Sequence, residues 1–296
     1  MPDIYLCEVA ENNKIAEGMF AVSVVSEDLA LCARAGQFLH VKCGDERILR
    51  RPFGICNVHG GVLDFVFEVK GGGTKWLSKV KPGQTLDILG PLGNGFSFPD
   101  GRIIVVGGGL GSPPMLFAAR SAKGGVDAIL GFRESDRVIL VKEFASVCEE
   151  VYLTTDDGSA GICGQVTGPL RELLDRGGFD AVLACGQLVM QRAVAELCSR
   201  YGVPCQVSLE ERMGCGVGAC LVCACATVAR EGARSGKGSA HFDTSSANSD
   251  SGSAHFDTGS AYAATGNARS DAGSGAVQMS RVCLDGPVFD AREVVW

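Results

Sequence analysis

Arg102-Ile103-Ile104-Val105-Val106-Gly107-Gly108-Gly109-Leu110-Gly111-Ser112-Pro113-Pro114 stands near the middle of the chain. Its four consecutive β-branched residues favour an extended strand, and the glycines read as the turn that ends it. The stretch 113–122 that follows reads as a helix. Strand, glycine turn and helix in this order form a ready site for a dinucleotide phosphate, so Gly107, Gly108, Gly109 and Gly111 are candidate contacts. The alternation recurs, with strand candidates at 126–131, 151–155 and 181–185 and a helix at 189–201. Such a pattern predicts a doubly wound parallel sheet over residues 101–209. Cys185-Gly186 closes the last central strand, at the carboxyl edge where open α/β sheets bind ligands.

Upstream the rhythm is different. Short apolar stretches at 4–9, 19–25, 37–42 and 62–69, separated by glycine turns, predict a small antiparallel barrel over residues 1–100. Within it, Arg51 stands where a strand opens, and its guanidinium can grip a diphosphate with a bidentate fork. Some twenty residues later Gly71-Gly72-Gly73-Thr74 forms a glycine-rich turn before a helix, a setting suited to anions. Arg51 with Gly73 and Thr74 reads as a clamp for one diphosphate.

Downstream, Cys215, Cys220 and Cys223 have the spacing C-x₄-C-x₂-C, that of plant-type [2Fe–2S] loops, which take a fourth cysteine from further along. Cys283 supplies it. Zinc is the alternative occupant, but zinc sites favour two separated C-x₂-C knuckles, whereas here one compressed triplet is joined by a singleton. Cys225 lies outside the spacing and reads as a spare. The 59 residues between Cys223 and Cys283 contain a low-complexity stretch, 231–276. There Gly, Ser and Ala supply 28 of 46 residues, no aliphatic core former occurs, and Gly-Ser-Ala-His-Phe-Asp-Thr appears twice. So few apolar groups cannot offset ordering entropy, which predicts a flexible insertion. Each doubling of loop length adds only about 0.6 kcal/mol of closure entropy. The insertion is therefore compatible with a cluster loop in the region 210–296.

Composition narrows the remaining possibilities. A net charge of −7 without a basic block argues against a nucleic-acid surface. Residues 1–8 hold no apolar core of a signal peptide. The most apolar long window, 103–119, is broken by glycines and prolines and does not read as a membrane span. A cytoplasmic protein is expected. Fourteen cysteines in a long chain of this kind suggest metal binding and burial rather than disulfides; Cys7, Cys32, Cys43, Cys56, Cys148 and Cys198 read as small buried hydrophobes. No nucleophilic triad or carboxylate pair is evident, and His40 and His59 read as structural.

The order of Arg50-Arg51-Pro52, Gly73-Thr74, Gly90-Pro91-Leu92-Gly93-Asn94-Gly95-Phe96, the glycines at 107–111, Cys185-Gly186 and the C-terminal cysteines resembles the ferredoxin–NADP reductase superfamily. More closely, it resembles the electron transfer subunits of bacterial NAD-dependent dihydroorotate dehydrogenases. The resemblance covers nearly the whole chain outside the insertion. It implies a β-barrel FAD domain, an α/β nicotinamide-binding domain and a small C-terminal [2Fe–2S] domain. It also implies FAD contacts at Arg51, Pro52, Phe53, Gly54, Val66, Phe67, Glu68, Gly73 and Thr74, with the cluster on Cys215, Cys220, Cys223 and Cys283. In that family electrons run from an FMN-containing dihydroorotate dehydrogenase catalytic subunit, in a hetero-oligomer expected to be a heterotetramer, through cluster and FAD to NAD(H). A ferredoxin–NADP oxidoreductase or sulfhydrogenase-type subunit is the alternative within the superfamily; a redox sensor or zinc-stabilised binding module is the alternative outside it. Two departures stand out: Gly54 where the family usually has Ser, and Gln187 where Pro commonly follows Cys-Gly.

Overall fold

A computed structural model describes residues 2–228 and 276–296. The predicted flexible insertion lies, except for Ala276, outside the described residues. The first region contains β1 (Asp3–Ala16), β2 (Met19–Val25), α1 (Glu27–Cys32), β3 (Phe38–Val41), β4 (Arg51–His59), β5 (Val62–Glu68), α2 (Gly72–Leu77) and β6 (Thr85–Leu92). Its six strands close into an antiparallel barrel in the order β1-β2-β5-β4-β3-β6. Alternate residues point inward: Cys7 and Val9, Val22 and Val24, Leu39 and Val41, Leu63 and Phe65, Leu86 and Ile88 form its core. Period-two burial of this kind follows from the pleat. Phe53 stacks on Phe65 at 5.2 Å between ring centroids.

The second region comprises β7 (Ile103–Gly108), α3 (Ser112–Ser121), β8 (Val126–Phe132), α4 (Val141–Ala145), β9 (Glu150–Thr155), β10 (Ile162–Cys163), α5 (Thr167–Arg176), β11 (Ala181–Cys185), α6 (Leu188–Tyr201) and β12 (Cys205–Ser208). The strands run parallel in the order β10-β9-β8-β7-β11-β12. Both faces of β7 are covered, Ile104 and Val106 packing with α5 and α6 and Ile103 and Val105 with α3. That is why its sequence is continuously apolar rather than alternating. Leu170, Leu173 and Leu174 of α5 recur at helical spacing and are buried, each contributing about 1.5–3 kcal/mol relative to exposure. Pro113 and Pro114 sit in the first turn of α3, where a missing N–H costs nothing.

The C-terminal stretch holds the hairpin β13 (Ala224–Val228) and β14 (Val277–Arg281), then β15 (Val288–Asp290). β15 pairs antiparallel with β12 and becomes the seventh strand of the sheet. The expected all-parallel sheet is therefore mixed, because the chain returns from the cysteine turn running against β12. Among the early cysteines, Cys7, Cys43, Cys56 and Cys198 are buried, but Cys32 is exposed at the end of α1 and Cys148 is half-buried. Among the described residues no helix is long and apolar enough to cross a membrane.

Candidate functional site

Between barrel and sheet lies a cavity of about 500 Å³, within the range of small-molecule and cofactor sites. Arg51, Pro52, Phe53 and Gly54 reach it from β4, Val66, Phe67 and Glu68 from β5, and Gly73 and Thr74 from the turn opening α2. These nine residues are brought together because β4 and β5 are antiparallel neighbours and α2 follows β5 directly. Thr74 closes its turn by accepting hydrogen bonds from the N–H groups of Lys70 at 2.9 Å and Gly71 at 3.2 Å. The Arg51 guanidinium lies over Gly73, its Nε 3.1 Å from where a Cβ would stand.

Gly54 has a steric explanation. A Cβ there would come within 2.8 Å of Pro114 Cγ on α3. The second region thus packs flush on the barrel at this point, and serine does not fit without a shift.

The glycines at 107–111 meet Cys185-Gly186 at the carboxyl edge of the sheet, since β7 and β11 are adjacent. A Cβ at Gly111 would stand 2.2 Å from the Cys185 carbonyl oxygen, so only glycine allows this approach. Leu110 and Cys185 line the cavity; Gly107, Gly108, Gly109, Gly111 and Gly186 form the shelf beside it rather than its wall. Gln191, buried on α6, ties the shelf to β12 by donating to the carbonyls of Gly186 at 2.6 Å and Ser208 at 3.0 Å.

Several lining residues carried no local signal in the sequence, among them Phe38, Pro114, Glu210, Met213 and Pro287. Glu210 faces the open cavity but is ringed by protein, and that desolvation raises its carboxyl above the ordinary range. The Cys185 thiol, pushed up by its own burial and by the Glu210 charge, lies 3.9 Å from Glu210 Oε1. Glu68 is drawn the other way. Burial would raise its carboxyl, but hydrogen bonds from Arg137 and Lys70 outweigh that and hold it low.

The four cysteines of the C-terminal motif lie side by side as two contacting pairs, Cys215 with Cys220 and Cys223 with Cys283. Every one of the four sulfurs accepts a backbone N–H: Cys215 from Val217 at 3.4 Å and Ala219 at 3.2 Å, Cys220 from Cys215 at 3.4 Å, Cys283 from Gly218 at 3.1 Å and Cys223 from Cys283 at 3.4 Å. Donors aimed at sulfur favour the thiolate. At Cys215 burial raises the thiol, yet these hydrogen bonds win and lower it to about 6; Cys283, more enclosed, is pushed up by burial to about 12. Among the described residues no three His, Cys, Asp or Glu side chains converge on a single ion position. Cys225 is half-buried on β13, where it pairs with Ser280, and its thiol is raised to about 11, mainly by burial.

The turn carrying Cys283 is fastened from both sides. Arg281 bonds the Asp285 carboxylate at 3.0 and 3.1 Å. Asn94, from the glycine-rich segment after β6, donates through its backbone to Gly286 at 2.6 Å and through its side chain to Asp285 at 2.9 Å. Cys220 is exposed, and Val217, Leu221, Val222 and Leu284 leave an apolar rim around it. Leu221 holds φ at 60°, an uncommon conformation for a leucine.

No family model matches the sequence. The chain is 36% identical over 263 residues to the dihydroorotate dehydrogenase B (NAD(+)), electron transfer subunit, of Caldanaerobacter subterraneus, covering 88% of this chain and 87% of the relative. It is 32% identical over 305 residues to the subunit of the same name from Desulforamulus reducens, covering 100% of both. Among solved structures it is similar to an NADH-dependent reduced ferredoxin-NADP oxidoreductase described for flavin-based electron bifurcation, with a TM-score of 0.75 and 28% identity over 99% of this chain and 90% of that one.

Proposed function

This chain belongs to the family of dihydroorotate dehydrogenase B (NAD(+)) electron transfer subunits, and on that footing we propose that it carries electrons from a dihydroorotate-oxidising catalytic subunit to NAD in pyrimidine biosynthesis. FAD occupies the cavity between barrel and sheet, and a [2Fe–2S] cluster is held by Cys215, Cys220, Cys223 and Cys283. The observation that carries this reading is the shared wall of the two sites. Met213 lines the cavity and stands two residues before Cys215. Such closeness is what electron exchange between two centres requires.

The residues present fit both groups. For FAD, the cavity offers aromatic and aliphatic walls in Phe38, Phe53 and Val66, with Arg51 over the Gly73 turn at one end for a diphosphate. For the cluster, two thiol pairs with an N–H on every sulfur match the ligand demand of two irons, each taking two cysteines. Once bound, FAD exchanges electron pairs with a nicotinamide and single electrons with an iron–sulfur centre. The protein's part is to position and shield. Arg51, Gly73 and Thr74 hold the flavin's diphosphate, and Val66, Phe67 and Glu68 flank it along β5. Gly107 to Gly111 with Cys185-Gly186 form the shelf that receives NAD(H), and Cys185 faces the cavity from it.

The exposed cluster loop with its apolar rim is where an FMN-containing catalytic subunit docks, giving a hetero-oligomer, proposed as a heterotetramer, with the regions 1–100, 101–209 and 210–296 serving flavin, nicotinamide and cluster in turn. Co-expression with the catalytic subunit, followed by flavin, iron and sulfide analysis, tests the assembly. Dihydroorotate-dependent formation of NADH by the complex supports the assignment; a flavin- and cluster-loaded complex that forms none overturns the pyrimidine reading. A loaded chain that cannot oxidise NADH with artificial acceptors overturns the oxidoreductase reading itself.

A further inference from the structure

His40 lies on β3 between the two sites. The strand turns Phe38 and His40 to the same outer face of the barrel, Phe38 lining the cavity and His40 abutting the cysteine loop. One step of two residues along a strand is about 7 Å. The ring is fully buried, and neither nitrogen makes a well-aligned hydrogen bond, although the backbones of Arg50 and Cys215 lie beside it. Its Nδ1 edge presses on the loop so closely that a Cβ at Gly216, which sits at φ +74°, would stand 2.6 Å away.

An imidazole always carries at least one N–H, and a buried donor without a well-aligned acceptor calls for an explanation. Gly216 directly follows Cys215. A ligating thiolate carries negative charge and is a far better acceptor than a neutral thiol.

We propose that His40 is a positioning residue for the cluster, its ring N–H serving as the hydrogen-bond contact from the flavin-bearing strand to Cys215. The contact seats the loop on β3 and makes the cluster easier to reduce, since hydrogen bonds to cluster sulfur help set its potential. The proposal rests on the cluster reading above.

Three forms of the full chain test it: wild type grown with ¹⁵N-histidine, His40→Phe, which keeps a ring but no donor, and His40→Asn, which keeps a donor. Iron, sulfide and flavin content come first, then hyperfine spectroscopy and an EPR-monitored redox titration of the reduced cluster. Wild type is expected to show a histidine nitrogen coupled to the cluster. His40→Phe should load iron and sulfide but titrate at a more negative potential, and His40→Asn should recover part of the shift. A loaded His40→Phe protein with an unchanged potential overturns the proposal, as does a loaded wild type without the coupling. If His40→Phe fails to load, the labelled wild type decides alone. Wild type lacking iron and sulfide defeats the cluster reading itself, a failure distinct from loss of the coupling in a loaded protein.

Discussion

Arg137, just after β8 in the nucleotide-binding region, grips the carboxylate of Glu68 at the end of β5 in the barrel, and so joins the two regions beside the cavity. Lys70 holds the other Glu68 oxygen at 3.2 Å. Both partners of the Arg137 pair are largely sheltered. Arg137→Ala should therefore cost roughly 1.5–3 kcal/mol, the worth of a charge-assisted hydrogen bond, read as a lowered melting temperature. The pH dependence has a definite sign. Because Glu68 is held below its usual range in the folded protein, its contribution is complete above the unfolded value of about 4.3. It is lost as pH falls through the lower folded value. Acid titration of stability should be less steep below about pH 4.3 in Arg137→Ala than in wild type; equal steepness would show that the pair is not what lowers Glu68.

The contact of Gly54 with Pro114 predicts a non-additive pair. Gly54→Ser places an atom 2.8 Å from Pro114 Cγ, and overpacking of this kind costs about 1–3 kcal/mol. The single variant should lose thermal stability and flavin, and adding Pro114→Ala should restore both in part. A fully flavinated, wild-type-stable Gly54→Ser would show that the gap accommodates a hydroxymethyl group.

Arg51 stands over the Gly73 turn. Arg51→Ala should weaken FAD binding by roughly 1.5–3 kcal/mol, measured as flavin lost on dilution and gel filtration, without a comparable fall in the stability of the flavin-free protein. Unchanged FAD affinity would move the diphosphate elsewhere.

Cys283→Ser removes one member of the Cys223–Cys283 pair and the acceptor for the Gly218 N–H. It should abolish acid-labile sulfide and the visible cluster spectrum. Cys225→Ser, on a strand residue outside the four-sulfur group, should keep two irons per chain by the cluster reading. Stoichiometric zinc without sulfide in the wild type would overturn that reading.

Val228 and Val277 are paired partners at the open end of the β13–β14 hairpin. The two ends between which residues 229–276 run therefore stand directly opposite one another. Replacing them by a two-residue Asn-Gly turn, which suits a tight hairpin, should preserve the hairpin, the cluster and the melting temperature. Loss of cluster or of partner binding would assign the repeat a role.

The sequence by itself determined what local pattern can determine. The apolar β-branched run before the glycines at 107–111 is a strand wherever it packs, because burial on both faces demands such a run. The C-x₄-C-x₂-C spacing likewise brings three thiols into one loop by chain length alone. Other features needed the tertiary structure. β15 became an antiparallel member of the sheet through pairing with a strand some eighty positions earlier, and nothing in three residues announces a partner at that distance. The glycine at 54 is explained only by Pro114, which the chain brings across from another region. Phe38, Glu210 and Met213 line one cavity although each looks unremarkable in its own segment. His40 read as an ordinary structural histidine until the fold set its buried ring against Gly216. Local sequence fixes periodicity and spacing, which act over a few residues. A site assembled from several strands and loops is fixed by which surfaces meet, and that is settled only when the whole core packs.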